Sequence, residues 1–252
     1  MEPILKVTDL SKSFSRAGKD AFFAVDHVSF ELMPGEILGI VGESGSGKST
    51  VAKLITRQID ATSGTVEVDG QDITKLTGRQ LIPTYAKIQM VFQTPAESFD
   101  PRRTLGDGIC ESLRNKGVSK AEREDKARSL LEQCGLPGEF LERYPHQVSG
   151  GQCQRAAIAR ALMCDPQILI FDEATSALDV TVQKQIIELL QKLQKEKKLA
   201  YLFICHNLAL VQELCDKVIV LYDGKIAEQG LPDDVILHPQ SSYAKRLVDA
   251  VL

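Results

Sequence analysis

Residues 42–50 spell Gly-Glu-Ser-Gly-Ser-Gly-Lys-Ser-Thr, and this stretch constrains the fold more than any other part of the chain. It follows a short apolar run at 37–41 and precedes a helix-like segment at 51–57. Strand, glycine-rich turn and helix are the context in which G-x-x-x-x-G-K-S/T forms a phosphate-binding loop. Glycines let several backbone N–H groups face one point, and the helix N-terminus adds positive potential there. The flanking elements favour a nucleotide site over a chance glycine turn.

Three residues at the end of this loop have expected roles toward a bound nucleotide. We expect Lys48 to reach the β- and γ-phosphates, Ser49 to ligate Mg²⁺ and Thr50 to donate to the α-phosphate. Phe14 is the candidate for stacking on an adenine base, with Phe22 as its rival, and either could instead be an ordinary core phenylalanine. Apart from the aromatic residue, the predicted ATP-binding set is Gly42, Glu43, Ser44, Gly45, Ser46, Gly47, Lys48, Ser49 and Thr50.

Composition narrows the class of protein. The chain has 252 residues, of which 43% are hydrophobic and 25% charged, as in a globular protein with a substantial core. The net charge of −4 argues against a nucleic-acid binder, which is expected to be basic. No apolar run approaches the roughly 20 residues that span a bilayer, and the N-terminus lacks a signal-peptide pattern, so we expect a cytosolic location. The six cysteines include no C-x-x-C pair, which predicts reduced thiols rather than a zinc site or disulfides.

The sequence predicts an antiparallel layer, a helical block and a set of buried strands with helices. Residues 4–10, 22–32 and 64–69 alternate apolar and polar positions, which predicts an antiparallel layer beside the nucleotide site, with Phe14 between its first two strands. Residues 104–165 are typical of helices, at 105–115, 120–134 and 152–163, and we interpret this block as an inserted subdomain. Short apolar runs at 88–92, 168–171, 201–205 and 218–222 predict strands, and helices are expected at 182–195, about 207–215 and 241–251.

Polar side chains follow three of these strands where each one ends. Gln93 follows 88–92, Asp172 and Glu173 follow 168–171, and His206 follows 201–205. Ligands of open parallel sheets bind beyond the carboxyl ends of the strands, so these groups should meet the phosphate loop. The alternative is that each is a helix cap or a surface polar group.

Phosphoryl-transfer chemistry assigns a role to each of these groups. Asp172 should hold Mg²⁺ directly or through water, and Glu173 should polarise the attacking water as general base. Gln93 should contact Mg²⁺ and that water. His206 should lie between the γ-phosphate and Glu173 and sense whether the γ-phosphate is present. With Lys48, the predicted catalytic set is Glu173, His206, Gln93 and Lys48, and the predicted metal ligands are Ser49, Gln93 and Asp172.

A second anion-binding motif occupies residues 148–155, Val-Ser-Gly-Gly-Gln-Cys-Gln-Arg. Ser149 is a natural N-cap, and a helix beginning there would present three further residues, Gly150, Gly151 and Gln152. Two phosphate cradles for one nucleotide are hard to place in a single subunit. A dimer in which the second cradle of one chain closes the site of the other resolves this.

These motifs together resemble the ATP-binding subunit of ABC transporters. The resemblance covers nearly the whole chain and rests on 42–50, Gln93, Ser-Gly-Gly-Gln at 149–152, ILIFDE at 168–173, SALD at 176–179 and His206, in that order. It implies an α/β fold of the P-loop NTPase class, with a RecA-like core, an antiparallel β-subdomain and an inserted helical subdomain. One ABC ATPase domain would span 1–252, with 1–93 and 167–252 forming the core and β-subdomain and 94–166 the helical subdomain.

The resemblance also implies partners and cofactors. Two ATPase subunits, identical or different, would pair head to tail with ATP and Mg²⁺ between the phosphate loop of one and 149–152 of the other, and Asp179 would lie at the dimer contact. Membrane permease subunits would bind the Gln93–Arg103 region and the helical subdomain, and a solute-binding protein would act indirectly. No nucleic acid is expected. The subunit would be peripheral, on the cytoplasmic face of the membrane.

Within the family, the chain looks most like the oligopeptide, dipeptide and nickel uptake group. The resemblance is carried by residues 35–50, 92–105, 172–183 and 237–247. Val148 stands where leucine is usual, and Cys205 and Asn207 stand where threonine and aspartate are common. Longer peptide-uptake relatives carry a cysteine-containing C-terminal extension. This sequence has no cysteine after Cys215, so we expect no iron–sulfur cluster, and its shortness favours nickel or metal-chelate members.

Two other functions compete with import. A non-transport ABC-type ATPase of a cytosolic complex, such as one in DNA repair or translation, is disfavoured: the 55 residues between Gln93 and Ser149 are too few for a long coiled-coil arm, and only one cassette is present. A nucleotide-binding module without turnover is disfavoured by Glu173. The sequence does not identify the cargo, the composition of the dimer or the adenine-stacking aromatic.

Overall fold

The computed structural model describes residues 2–16, 19–176 and 178–250. Its strands are β1 (Leu5–Arg16), β2 (Lys19–Leu32), β3 (Ile37–Val41), β4 (Ser63–Val68), β5 (Gln71–Asp72), β6 (Ile88–Val91), β7 (Ile168–Asp172), β8 (Ala200–Ile204), β9 (Lys217–Tyr222) and β10 (Lys225–Gly230). Its α-helices are α1 (Lys48–Ile55), α2 (Ile82–Lys87), α3 (Leu105–Ile109), α4 (Glu111–Asn115), α5 (Lys120–Gln133), α6 (Gly150–Leu162), α7 (Val180–Lys197), α8 (Leu208–Leu214), α9 (Pro232–Leu237) and α10 (Ser242–Asp249). Short 3₁₀ turns occupy Gly78–Leu81, Pro95–Ser98, Gly138–Glu142 and Pro145–Gln147.

The described strands form two sheets. One has the order β2-β1-β4-β5 and is antiparallel, which confirms the predicted antiparallel layer. The other has the order β10-β9-β3-β8-β7-β6, in which β9, β3, β8, β7 and β6 run parallel and β10 pairs antiparallel with β9. The strands preceding the phosphate loop, Gln93, Asp172 and His206 are therefore neighbours, as the strand-end argument requires.

The six-stranded sheet separates two hydrophobic cores, which explains its uninterrupted apolar strands. In β3, Ile37 and Val41 pack with the α6, α7 and α8 side, whereas Leu38 and Ile40 pack against α1 and the antiparallel sheet. A strand whose two faces are both buried has no position for a polar side chain. The polar groups therefore collect at the strand ends.

The helical block largely follows the sequence prediction. The expected helix at 105–115 is divided in the structure at Cys110 into α3 and α4. The glycines of α3 allow close packing, because a Cβ at Gly106 would lie 2.6 Å from the Leu141 carbonyl oxygen and one at Gly108 would lie 2.7 Å from the Phe99 ring. Helix α6 starts at Gly150 rather than 152, because Ser149 caps it. The division of the chain into subdomains at 93/94 and 166/167 stays a prediction.

One placement from the sequence is wrong. Phe14 does not lie between the first two strands, because β1 continues to Arg16 and Phe14 pairs with Phe22 across to β2. Because β1 pairs with β2 along its whole length, β1 extends beyond residue 10, where the alternation of apolar and polar residues ends.

Several elements were not predicted. Short α2 and α9 each have proline in their first turn, and β10 follows the turn at Asp223-Gly224. The predicted C-terminal helix is present as α10, and its expected last residue, 251, lies outside the described residues. Within the described part of the chain, no helix combines the length and apolar character needed to cross a membrane.

Candidate functional site

The phosphate loop between β3 and α1 requires glycine where the backbone passes other strands. Gly42 has a φ of 153° and a Cβ there would lie 2.2 Å from the Leu221 carbonyl oxygen at the end of β9. Gly47 has a φ of 105° and a Cβ there would lie 2.2 Å from the Ala24 carbonyl oxygen of β2. Both positions combine a left-handed conformation with a close backbone approach, which only glycine allows.

Lys48 lies buried under this loop, at 5% exposure. Its Nζ donates to the carbonyl oxygens of Gly42 and Glu43, both at 2.8 Å. Burial lowers the pKa of the Lys48 ammonium, and the nearby Glu173 and Asp172 carboxylates oppose that shift. The ammonium is thus held inside the curl of the loop, where a phosphate would meet it.

Ser49 and Asp172 join the loop to the end of β7. The Ser49 hydroxyl donates a 2.9 Å hydrogen bond to Oδ1 of Asp172. Burial raises the pKa of Asp172, and the Ser49 hydrogen bond opposes that shift. A hydroxyl and a carboxylate in contact, partly shielded from solvent, are oxygen ligands of the type that Mg²⁺ prefers.

Glu173 occupies a strained backbone conformation directly after Asp172. Its φ of 50° is in the left-handed region, which non-glycine residues adopt at a cost of about 1–3 kcal/mol. Its N–H donates to the Ile204 carbonyl oxygen of β8 at 2.9 Å, and its own carbonyl accepts from the Ser176 N–H at 3.1 Å and hydroxyl at 2.9 Å. These bonds hold the strained residue at the edge where β7 and β8 end.

Gln93 is tied to this group through Ser176. The Gln93 side-chain amide donates to Ser176 Oγ at 3.3 Å, and that hydroxyl donates to the Glu173 carbonyl. Sequence reasoning named Ser176 only as the start of a motif and missed this bridge. A serine three residues after Glu173, able to form a turn back onto its carbonyl, is the signal that was available.

His206 follows β8 by two residues and is exposed. The N–H of the preceding residue, Cys205, donates to the Ile40 carbonyl oxygen of β3 at 3.2 Å. Burial raises the pKa of the Cys205 thiol, which the nearby Lys48 ammonium lowers and the nearby Glu173 carboxylate raises further. The structure therefore places His206 next to a residue of the same site. Its proposed contact with phosphate stays a prediction.

The second predicted anion site is a well-formed helix start. Ser149 accepts from the Gln152 N–H at 3.3 Å, and the Gln152 side chain accepts from the Ser149 N–H at 2.9 Å, which is a capping box. A Cβ at Gly151 would lie 2.5 Å from Val182 Cγ1, so this helix start packs against the beginning of α7.

Asp179 caps α7, with Oδ1 accepting from the Val182 N–H at 2.9 Å. The structure thus brings the residues at 149–152 together with Asp179 and Val182. Residues 149–152 and Asp179 lie at the starts of α6 and α7, whereas the phosphate loop connects β3 to α1.

The two rival aromatic residues are in contact with each other. The Phe14 and Phe22 ring centroids are 5.9 Å apart, stacked at 29°, and Lys12 Nζ lies 5.2 Å from the Phe14 centroid. Both rings are partly exposed, and the adjoining Ala24 contacts Gly47 of the phosphate loop. An aromatic surface therefore lies beside the loop, and the ring that faces a base stays undecided.

In a comparison with known families, residues 25–176 match the family ABC transporter. That span begins in β2, contains the phosphate loop, Gln93, 149–152 and Glu173, and ends at Ser176.

Curated relatives match over nearly the whole chain. A putative peptide import ATP-binding protein of Brucella ovis is 42% identical over 250 residues, covering 99% of this chain and 78% of the relative. The oligopeptide transport ATP-binding protein OppF of Streptococcus mutans is 42% identical, covering 98% of this chain and 81% of the relative. The glutathione import ATP-binding protein GsiA of Salmonella paratyphi A is 45% identical, and the match covers 99% of this chain but 41% of that protein.

Solved structures show the same architecture. A dimer of the ATP-binding cassette MJ0796 in a post-hydrolysis state, bound to ADP and Pi, superposes with a TM-score of 0.82 at 31% identity, covering 90% of this chain and 98% of the other. The structure of cbiO1 from Clostridium perfringens, part of the ABC transporter complex cbiONQ, gives 0.83 at 27% identity, covering 100% and 96%.

Proposed function

This chain belongs to the ABC transporter family, as an ATP-binding and ATP-hydrolysing subunit, and we propose that it powers peptide import through partner permease subunits in the membrane. The observation that carries the assignment of its site is the Ser49–Asp172 hydrogen bond, which joins a glycine-walled phosphate loop to a carboxylate at the end of β7, in the same sheet as β3.

The loop fits a triphosphate. Side chains at Gly42 and Gly47 would collide with the backbone of β9 and β2, so glycine at both positions allows the tight curl in which the N–H groups of the loop can bind phosphate. The buried hydroxyl of Ser46 has no hydrogen-bond partner among the described residues, and it would gain one from a phosphate oxygen. Lys48 would exchange its two carbonyl acceptors for the β- and γ-phosphates.

The residues present also fit Mg²⁺. Ser49 and Asp172 would hold it, with Gln93 at its edge. Among the described residues there is no group of three or more His, Cys, Asp or Glu side chains suited to a metal, which agrees with an ion that takes its other ligands from phosphate and water. When bound, Mg²⁺ supplies charge neutralisation at the β- and γ-phosphate oxygens.

Glu173 would act as the general base. It directly follows Asp172, the proposed metal ligand. Its left-handed backbone is held by the hydrogen bond from its N–H to the Ile204 carbonyl and by Ser176, which donates to its own carbonyl. In this role Glu173 accepts a proton from the water that attacks the γ-phosphate. His206, one residue beyond Cys205 at the adjacent strand end, would contact the γ-phosphate.

A second ATPase subunit would complete the site. Helix α6 presents the N–H groups of Gly150 and Gly151 outward from its capped start, beside Asp179. A head-to-tail partner, identical or different, would bring these groups to the γ-phosphate held by this chain's phosphate loop. The MJ0796 cassette, whose fold this chain shares, is dimeric in a post-hydrolysis state.

Permease subunits would bind beside Gln93. Phe92, the residue before Gln93, is 37% exposed, and it lines one groove with Tyr85, which is 42% exposed. Arg160 of α6 donates to the Ser98 carbonyl and lies over the Phe99 ring, 4.5 Å from its centroid. A partner pressing on 93–103 would therefore move α6 and the residues at its start. In this role the subunit would lie at the cytoplasmic face of the membrane, where ATP is available.

Peptides are the proposed cargo because the relatives named above are called peptide, oligopeptide and glutathione import or transport proteins. The test is co-purification with permease subunits, followed by reconstitution in liposomes with the cognate solute-binding protein. Hydrolysis stimulated by peptide-loaded solute-binding protein is expected. If only a nickel-loaded solute-binding protein stimulates hydrolysis, nickel replaces peptide as the proposed cargo. If the chain purifies in a complex without permeases, a non-transport ATPase is favoured.

A further inference from the structure

The C-terminal helix α10 reaches the phosphate loop through one side chain. The N–H of Glu43 donates to the Tyr243 hydroxyl at 3.0 Å, across 200 positions of sequence. Tyr243 is 4% exposed, so its hydroxyl lies at a largely buried contact rather than on the surface. Burial raises the pKa of the phenol, which therefore stays neutral near physiological pH.

The hydrogen bond falls on the peptide unit that also holds the loop lysine. The Gly42 carbonyl, which accepts from Lys48 Nζ at 2.8 Å, and the Glu43 N–H belong to the same planar peptide. In a trans peptide the carbonyl and the N–H point in opposite directions. Tyr243 therefore anchors the outer side of the unit whose inner side faces Lys48.

Tyr243 is itself held on several sides. Its ring stacks on Tyr222, with centroids 4.1 Å apart and planes at 30°, and the Arg246 guanidinium lies 5.7 Å from the Tyr243 centroid. Ser241 caps α10 by accepting from the Ala244 N–H at 3.0 Å. The Glu228 carboxylate of β10 accepts from the Ser241 N–H at 2.7 Å.

Tyr222 also connects this helix to the wall of the loop. It is the last residue of β9, and the carbonyl preceding it, that of Leu221, is the atom that a Cβ at Gly42 would strike. The Gly42–Glu43 peptide thus lies between the end of β9 and the hydroxyl of Tyr243.

We propose that Tyr243 is a positioning residue for nucleotide binding, which orients the Gly42–Glu43 peptide so that the loop and Lys48 are ready for phosphate. This inference rests on the proposed role of 42–50 as the ATP site. Without the phenol oxygen, the Glu43 N–H would lack this acceptor, and nucleotide binding would have to order the loop that Tyr243 now orders beforehand.

The test is Tyr243→Phe, which keeps the ring, its burial and its stacking on Tyr222. In the full-length chain, we expect the Kd for Mg²⁺ and the non-hydrolysable β,γ-imido analogue of ATP to rise by about tenfold, equivalent to about 1.4 kcal/mol. The KM for ATP should rise similarly and kcat should change by less than about twofold, because Tyr243 touches no reacting atom. Hydrogen exchange at the Glu43 amide should accelerate.

Tyr222→Phe is the matched control, since it removes a hydroxyl from the partner ring and keeps the stack, and it should leave Kd unchanged. If Tyr243→Phe lowers the melting temperature or the active fraction but leaves Kd and KM as in the unaltered chain, the residue is only structural and the proposal is overturned. If the unaltered chain binds no nucleotide, both the proposed function and the role of Tyr243 are contradicted. These two failures are distinguished by the unaltered chain and by Lys48→Ala, measured in parallel.

Discussion

The Ser49 hydroxyl donates a 2.9 Å hydrogen bond to Asp172, a residue 123 positions later in the chain. Ser49 lies in the first turn of α1 and Asp172 is the last residue of β7, and these elements meet because β3 and β7 both flank β8 in the parallel sheet. Two of the three predicted metal ligands, Ser49 and Asp172, are thus in direct contact.

Asp172→Asn should separate stability from function. Burial raises the pKa of Asp172 in the folded state above its value in the unfolded chain. Above the folded-state pKa, the ionised carboxylate therefore lowers the free energy of unfolding, and this penalty is lost as the pH falls through the folded-state pKa towards the unfolded one. The neutral amide should therefore raise the melting temperature of the nucleotide-free chain by about 2–4 °C, corresponding to about 1 kcal/mol, and should abolish Mg²⁺-dependent ATP hydrolysis. Calorimetric unfolding near pH 7 and a magnesium titration of activity measure the two effects.

The control for that variant is Asp165→Asn, at an exposed carboxylate paired with Lys126. It should change neither activity nor the melting temperature by more than about 1 °C, as expected for a surface ion pair. Retained magnesium-dependent turnover in Asp172→Asn would remove Asp172 from the metal site.

Lys48→Ala should weaken nucleotide binding by at least about a hundredfold, because it removes a buried cation from the β- and γ-phosphates. Its effect on stability should be small or favourable, since burial already lowers the pKa of the Lys48 ammonium. Calorimetric titration with Mg²⁺ and imido-ATP gives the affinity. Lys192→Ala, which removes a mostly exposed cation from α7, is the control, and equal affinity in both variants would contradict the proposed cradle.

Glu173→Gln should retain ATP binding and reduce turnover by at least about a hundredfold, because the amide cannot accept the proton of the attacking water. The trapped nucleotide should then stabilise a dimer, detectable by light scattering or gel filtration with ATP and Mg²⁺. Glu188→Gln, at an exposed position of α7, should behave as the unaltered chain. Near-normal hydrolysis by Glu173→Gln would require another base.

Ser149→Arg tests whether two chains share a site. It places a bulky cation at the start of α6, so it should stop hydrolysis while leaving ATP binding by a single chain intact. Ser119→Arg is a matched control, because Ser119 caps α5 in the same way, accepting from the Glu122 N–H at 3.3 Å. If Ser149→Arg loses binding and hydrolysis together, the residue belongs to the site of its own chain.

Much of this architecture follows from local sequence pattern. Uninterrupted apolar runs identify β3, β7 and β8, because only strands buried on both faces lack polar positions. Glycine spacing identifies the phosphate loop, and Ser149 marks the start of α6. Sequence alone also places Gln93, Asp172 and His206 at strand ends, and parallel pairing of those strands then brings the groups to one edge.

Other features depend on contacts between distant segments, which local pattern does not record. Phe14 lies within β1 because β2 pairs with it to the end, and Ser176 bridges Gln93 to Glu173 because a turn and a strand end happen to meet. The left-handed backbone of Glu173 and the hydrogen bond from Glu43 to Tyr243 likewise exist only once β8 and α10 are in place. The sequence by itself determined which chemical groups are available and the strand or helix that carries each. The tertiary structure decided which of them touch, because distance between side chains is set by packing across the sheet and not by separation along the chain.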